Sequence, residues 1–209
     1  MRLSVTDLET LRYHKAREDA DLDGLLLSLA HVEPPNRKMQ AGRAMAKFFE
    51  HTKSGNMDSF ESEGWKFFLN FDGYFAVPLV RELKLEHEFQ TPSGPVTLVG
   101  MVDSLTGITV RDQKLTDTFD FEAKYIDSMQ WRAYLVMTGA QKFYYDIFVG
   151  KLSEHDNSVS IREYHEVALW RYPGIESDVE RAVCELADVV IRYGREIRNL
   201  KETQHAGSM

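Results

Sequence analysis

The chain has 209 residues and a formal net charge of −8, with 43% hydrophobic and 28% charged residues. That length suits one domain with a substantial core, and the balance excludes a disordered or fibrous class. The acidity excludes non-specific nucleic-acid binding by a generally basic surface, but not a local basic groove.

No apolar run approaches the length of a membrane span. The opening residues MRLSVTDLETLRYHK lack the apolar middle of a signal peptide, which predicts an intracellular, cytoplasmic protein with no membrane partner. The single cysteine, Cys184, rules out an internal disulfide and fits a reducing compartment. It lies in a helical apolar stripe and reads as core.

In chain order, residues 4–31 read as helix, capped by Ser4 or Thr6 with Asp7 and Glu9 in the first turn. Pro34-Pro35-Asn36 breaks it. Residues 37–53 form a second helix with an apolar stripe of Met39, Met45, Phe48 and Phe49, ended by Ser54-Gly55-Asn56. A short helix is expected over 58–69, centred on Trp65, Phe67 and Phe68. Residues 79–90 alternate as a strand, with Val80, Glu82, Lys84, Glu86 and Glu88 on one face and a bulge or twist within it. Strands follow at 96–103 and 107–114, then a helix over 121–139 that Gly139 terminates. Residues 143–150 and 159–171 read as strands. Residues 176–200 form a long amphipathic helix with Val179, Val183, Leu186, Val190, Ile197 and Leu200 inward. One domain is expected over 1–200, with 201–209 a disordered tail. A mixed α/β sheet flanked by helices is the natural packing.

The chemistry concentrates in Leu98 to Thr116, two strands joined by a tight turn. Asp112 and Lys114 alternate with Arg111 and Gln113, so they leave one face of a strand. The Thr106-Gly107 turn folds Asp103 back toward them. Asp112 sits in a β-branched run where aspartate is disfavoured. Two carboxylates and an ammonium then converge, and carboxylate oxygens suit a hard divalent cation.

This stretch resembles the PD-(D/E)xK nuclease superfamily, through Gly100-Met101-Val102-Asp103 and Asp112-Gln113-Lys114. Downstream, Gln130-Trp131-Arg132-Ala133-Tyr134 is similar to the Q-x-x-x-Y motif of the RecB-like and lambda-type phage exonuclease branch. Gln130 and Tyr134 share one helix face. The resemblance is strongest from Glu82 to Gly150. It implies a restriction-endonuclease-like αβββαβ core, here with extra N-terminal helices and a long C-terminal one. It also implies a Mg²⁺-dependent deoxyribonuclease, with Mn²⁺ able to substitute. Its substrate would be linear double-stranded DNA, in recombination or repair, in a bacterial or phage-infected cell. A restriction- or repair-type endonuclease, or a non-catalytic DNA-binding module, are the alternatives. A single-strand annealing protein and a homo-oligomer are the implied partners. One cysteine excludes the four-cysteine iron–sulfur cluster of some CRISPR-associated relatives.

By the same resemblance, Asp103 and Asp112 hold the metal, the Gln113 carbonyl adds a ligand, and Lys114 acts on the attacking water. Gln130 and Tyr134 hold the site and contact DNA. The early-helix histidine of the RecB-like branch is replaced here: Gly42-Arg43-Ala44-Met45-Ala46 ends in alanine. Glu50 is the expected substitute oxygen ligand, with Glu88 the fallback. Arg37, Lys38, Arg43 and Lys47 give the early helix a basic face, either solvated or a track for the DNA backbone. Lys124 and Arg132 are further candidates for phosphate contacts. His51, His87 and His165 show no zinc spacing, and His165 reads as a strand-surface residue.

Overall fold

The computed structural model describes residues 1–19, 21–52, 57–71, 75, 80–120 and 122–206. Its strands are β1 (Arg2–Ser4), β2 (Ser59–Ser62), β3 (Trp65–Leu69), β4 (Val80–Thr91), β5 (Gly94–Thr106), β6 (Thr109–Thr116), β7 (Lys142–Leu152) and β8 (Ser158–Trp170). The α-helices are α1 (Val5–Lys15), α2 (Leu22–Ala30), α3 (Arg37–Phe49), α4 (Met129–Thr138) and α5 (Ile175–Ala206). The strands form one mixed sheet in the order β1-β5-β6-β7-β8-β3-β2, with β4 paired to β5. Between α3 and α4 the chain forms five strands: the β2–β3 hairpin, then β4, β5 and β6, which with α4 and β7 give the expected βββαβ run.

Two cores lie on opposite faces of the sheet. Tyr145, Ile147 and Val149 of β7 face the core made with α1, α2, α4 and α5, whereas Phe148 faces the core under α3 and the β2–β3 hairpin. Burial on both faces is why β7 reads as an almost unbroken apolar run.

Several elements differ from the sequence reading. The first helix is split, because Asp21 accepts from Gly24 N at 2.6 Å and caps a new helix, α2. Ser4 caps α1 through a reciprocal box with Asp7. Residues 58–69 are a β-hairpin, not a helix. Phe60, Trp65, Phe67 and Leu69 turn inward at strand spacing, and Glu63 (φ 48°) and Gly64 (φ 75°) make the turn. The helix expected over 121–139 is a π-helical turn at Glu122–Ile126 followed by α4. Ser128 restarts the helix by accepting from Gln130 N at 3.1 Å. The β5–β6 turn is at Gly107 and Ile108. Helix α5 continues to Ala206, so residues 201–206 are helical rather than a disordered tail. Cys184 is half-buried rather than core. The expected helix end at Ser54-Gly55-Asn56 and the strand start at Leu79 lie outside the described residues.

Gly100 is where α1, α4 and the sheet meet most closely. A Cβ there would stand 2.6 Å from Tyr134 Cε1 and 2.9 Å from Val5 Cγ2. Both neighbours are buried, with Tyr134 4% and Val5 1% exposed, so neither side chain has room to withdraw. Gly100→Ala should therefore destabilise the fold by about 1–3 kcal/mol, as overpacking does. Urea unfolding checks this; an unchanged midpoint would show that the contact yields freely.

Candidate active site

The site forms where the sheet opens. Along one edge β5 pairs with β4 from Gly94 to Leu105, with a break at Asp103. The other edge is shared: β1 takes Thr97 to Val99 and β6 takes Ser104 to Thr106. Between them, Gly100 to Asp103 has no strand partner on that edge among the described residues. Side chains fill the gap instead. The Tyr134 hydroxyl donates to the Met101 carbonyl at 2.8 Å, and Asp103 Oδ2 accepts from Gln113 N at 2.7 Å. Past Arg111, β6 leaves β5 and continues alongside β7.

The extended register places Asp103 opposite Asp112, one pair beyond Ser104 and Arg111. Asp112 is 3% exposed. Its Oδ1 accepts from Gln130 Nε2 at 3.0 Å. Its Oδ2 lies 2.6 Å from Lys114 Nζ, at an angle outside hydrogen-bond range, so this buried oxygen has no hydrogen-bond partner. Gln130 is held in place by the start of α4, where Glu9 Oε2 accepts from Met129 N at 2.8 Å and from Ser128 Oγ at 3.0 Å.

Burial first, and then the charge of Asp112, pushes the Asp103 carboxyl up to about 7. Burial also raises Asp112, against the pull of Lys114. For Lys114 burial acts downward, but Asp112, Tyr145 and Asp103 reverse it and hold the ammonium above its ordinary range. Its side chain keeps 35% exposure, so it reaches the cleft as well as Asp112. Burial lifts the Tyr134 hydroxyl to about 12, so it stays a donor.

These groups line a cleft of ≈ 800 Å³ between α3 and the β5–β6 fork. Asp103, Asp112, Gln113, Lys114, Gln130 and Tyr134 are all on its wall. The helix supplies Lys38, Met39, Gly42, Arg43 and Ala46. Glu50 stands at one remove. Its carboxylate pairs with Lys47 at 2.7 Å and accepts from the Glu82 carboxyl. That bond, with burial, raises Glu82. Glu82 falls opposite Asp103 in the β4–β5 register and adds to its negative surroundings. It also has φ 48°, a left-handed backbone unusual for a glutamate and a form of strain that gathers at functional sites. Glu82 is thus the acid beside Asp103 that sequence reasoning missed. Glu88, the fallback, lies six residues along β4, about 20 Å away.

The basic candidates divide. Arg43 is exposed on the cleft rim. Lys38 also lines the cleft but pairs with Asp117 at 2.7 Å. Lys47 is paired with Glu50. Arg37 is turned to the β7–β8 loop, donating to the Ser153 and Asp156 carbonyls. Arg132 is spent on the Ile126 and Asp127 carbonyls at 3.0 and 2.8 Å, closing the π-helical turn. Lys124 is exposed and reaches Thr118 Oγ1 at 3.4 Å. His165 is half-buried on β8, stacked on Phe119 at 4.1 Å.

Among the described residues no three Asp, Glu, His or Cys side chains close on one point. Two carboxylates, one with an unsatisfied buried oxygen, still fit Mg²⁺, which usually takes one or two carboxylates and keeps waters or phosphate oxygens.

No family model matches the chain, and no curated protein matches it. Among solved structures, the crystal structure of SSO0001 is similar over 91% of this chain and 75% of its own, at 15% identity and a TM-score of 0.53. At that identity the likeness is one of fold. Structural neighbours also include the alkaline exonuclease LHK-Exo from Laribacter hongkongensis, at 14% identity and a TM-score of 0.49, over 98% of this chain and 94% of its own. Its complex with dAMP is similar over 98% and 93%, with a TM-score of 0.48. No helix among the described residues is long and apolar enough to cross a membrane.

A carboxyl raised from 3.8 to about 7 binds more proton in the folded than in the unfolded chain between those values. Its contribution is full below about pH 4 and lost as pH climbs through 7. In chelator, folding stability should fall across that window. Asp103→Asn, which keeps an acceptor for Gln113 N, should flatten the fall. Urea titrations from pH 4 to 8 measure it; equal slopes would remove Asp103 as the titrating group.

Proposed function

We propose that the protein is a metal-dependent DNA nuclease that hydrolyses phosphodiester bonds, and that it works as an exonuclease on linear duplex. The observation that carries this reading is the convergence of Asp103, Asp112 and Lys114 at the sheet fork, with Gln130 and Tyr134 bound to the same fork. Two acids and a lysine on the wall of an open cleft are the groups that phosphate hydrolysis needs.

Asp103, Asp112 and the Gln113 carbonyl would hold Mg²⁺, or Mn²⁺ in its place. Such an ion polarises the scissile phosphate and lowers the pKa of a bound water. The chain's own residues do the rest. Lys114, an ammonium braced by Asp112, orients the attacking water and offsets charge gathering on the phosphate oxygens. Gln130 fixes Asp112 through Oδ1, while Oδ2 stays beside Lys114 at 2.6 Å. Tyr134 holds the free edge of β5 at Met101, which keeps the cleft open beside Asp103. Glu82 and Glu50, hydrogen-bonded to each other, add a further acidic pair beside Asp103. Arg43 and Lys38 on α3 meet the DNA backbone at the rim. Recombination or repair, beside a single-strand annealing protein, is the setting this activity suits. The exonuclease reading rests on the likeness of Gln130-Trp131-Arg132-Ala133-Tyr134 to the Q-x-x-x-Y motif of the RecB-like and phage exonuclease branch.

Lys114→Ala should lower cleavage of an end-labelled linear duplex in Mg²⁺ by at least about 10²-fold, the range for a positioned proton-handling group. The wild-type protein should leave a closed circle intact. Wild-type rates in the variant would remove Lys114 from the mechanism. Cutting of the circle would make the enzyme an endonuclease, and no Mg²⁺-dependent cutting of either would overturn the nuclease reading.

A further inference from the structure

The cations of this acidic chain are distributed unevenly. Most are committed to a neighbour: Arg2 to Glu86, Lys15 to Glu185, Arg111 to Asp146 and Glu166, Arg171 to Glu176. The α3 cations expected to form a basic face are mostly committed too. Four others are not. Arg192, Arg195, Arg198 and Lys201 recur every third residue along α5, all exposed, and none makes an ion pair or hydrogen bond among the described residues. Over the same stretch only Glu196 and Glu202 oppose them. The first half of α5 has the reverse balance, with Glu176, Asp178, Glu180, Glu185 and Asp188 against Arg181.

Compensation of the helix dipole does not account for this row. That effect fades within the last turn, and Arg192, Arg195 and Arg198 lie well before Ala206. A membrane surface fits poorly as well. An interfacial helix needs an apolar face for the bilayer. Here that face is in the core: Ile197 is 7% exposed, and Tyr193 and Leu200 pack against the same cluster. At 100° per residue, Arg195 and Arg198 point away from that buried side; Arg192 precedes a kink at Tyr193 (φ −117°, ψ 15°), and Lys201 lies toward the opposite side of the helix from Arg192.

We propose that this row is a second nucleic-acid contact, a phosphate track on α5 that grips duplex DNA apart from the cleft. The spacing suits it. Arg192 to Arg198 spans six residues, a rise of about 9 Å. Phosphates follow one strand of a duplex at about 3.4 Å along the axis, so about three fall within the row. The proposal rests on the DNA reading of the site, and it explains how an acidic protein holds a polyanion: cation density is concentrated in the C-terminal half of one helix instead of spread over the surface.

The test is the triple variant Arg192→Gln, Arg195→Gln, Arg198→Gln, compared with wild type for binding of a 40-base-pair duplex in EDTA over a range of salt. Each lost phosphate contact should reduce the slope of log affinity against log salt by about 0.9, so by about 3 in all. The charge-preserving variant Arg195→Lys, Arg198→Lys should keep the wild-type slope, which separates lost charge from lost fold. Cleavage of saturating duplex should be unchanged, because the cleft is untouched. An unchanged slope in the triple variant overturns the proposal. So does wild-type binding to vesicles of anionic phospholipid that the triple variant loses while its DNA slope stays the same. If the slope falls as expected but wild type cuts no DNA in Mg²⁺, the track stands and the nuclease reading fails.

Discussion

Everything at the site depends on a gap in one strand's pairing. β5 is paired with β4 along one edge except at Asp103, and its other edge passes from β1 to β6 and leaves Gly100 to Asp103 between them. A sheet without that gap would bury Asp103 and Asp112 as directly opposed carboxylates, a costly arrangement with no outlet for their charge. The fork instead opens them to a cleft. Lys114 offsets part of the repulsion from one strand face, and the Gln113 amide offsets part from the backbone. The pair remains under-neutralised, which is the condition for attracting a cation rather than a purely structural ion pair.

The surroundings hold that gap open at several points. Tyr134 takes the Met101 carbonyl, and Gly100 makes room for its ring. The start of α4 is bonded to Glu9 of α1, so the helix carrying Gln130 and Tyr134 is referenced to the N-terminal helix and to the sheet at once. Across the cleft, α3 sits on the second core through Ala41, Ala44, Met45 and Phe49. The two walls therefore rest on different cores, joined by β7 and β8. Such an arrangement keeps the side chains of the candidate site on rigid elements while leaving the rim exposed.

Much of this was legible in the sequence, and for physical reasons. Asp112 stood out because aspartate is disfavoured in a β-branched strand, and the alternation around it put Lys114 on its face. The i, i+4 spacing of Gln130 and Tyr134 survives as one helix face directed at the fork. Other features were not local. Glu82 looks like one of several glutamates alternating along β4, and only the β4–β5 register and its left-handed backbone single it out. The run WKFFL is equally compatible with helix and strand, and the Glu63-Gly64 turn decides it. The basic residues of α3 made a face on a helical wheel, but Arg37 and Lys38 found partners outside the helix, at Ser153, Asp156 and Asp117, that no wheel displays. The four cations on α5 were as visible as those on α3; their lack of partners was not.

The central claim is that Asp103 and Asp112 form a cation site in the folded chain. Thermal melts of wild type and Asp112→Asn, in EDTA and in Mn²⁺, test it without relying on catalysis. A ligand that binds only the folded state stabilises it, by about 2.7 kcal/mol at a hundred times its dissociation constant. The account predicts that Mn²⁺ raises the melting temperature of wild type and raises that of Asp112→Asn much less. It also predicts that the variant melts no lower than wild type in EDTA, since one of two buried, repelling carboxylates is gone. Equal stabilisation of both proteins by Mn²⁺ would contradict it.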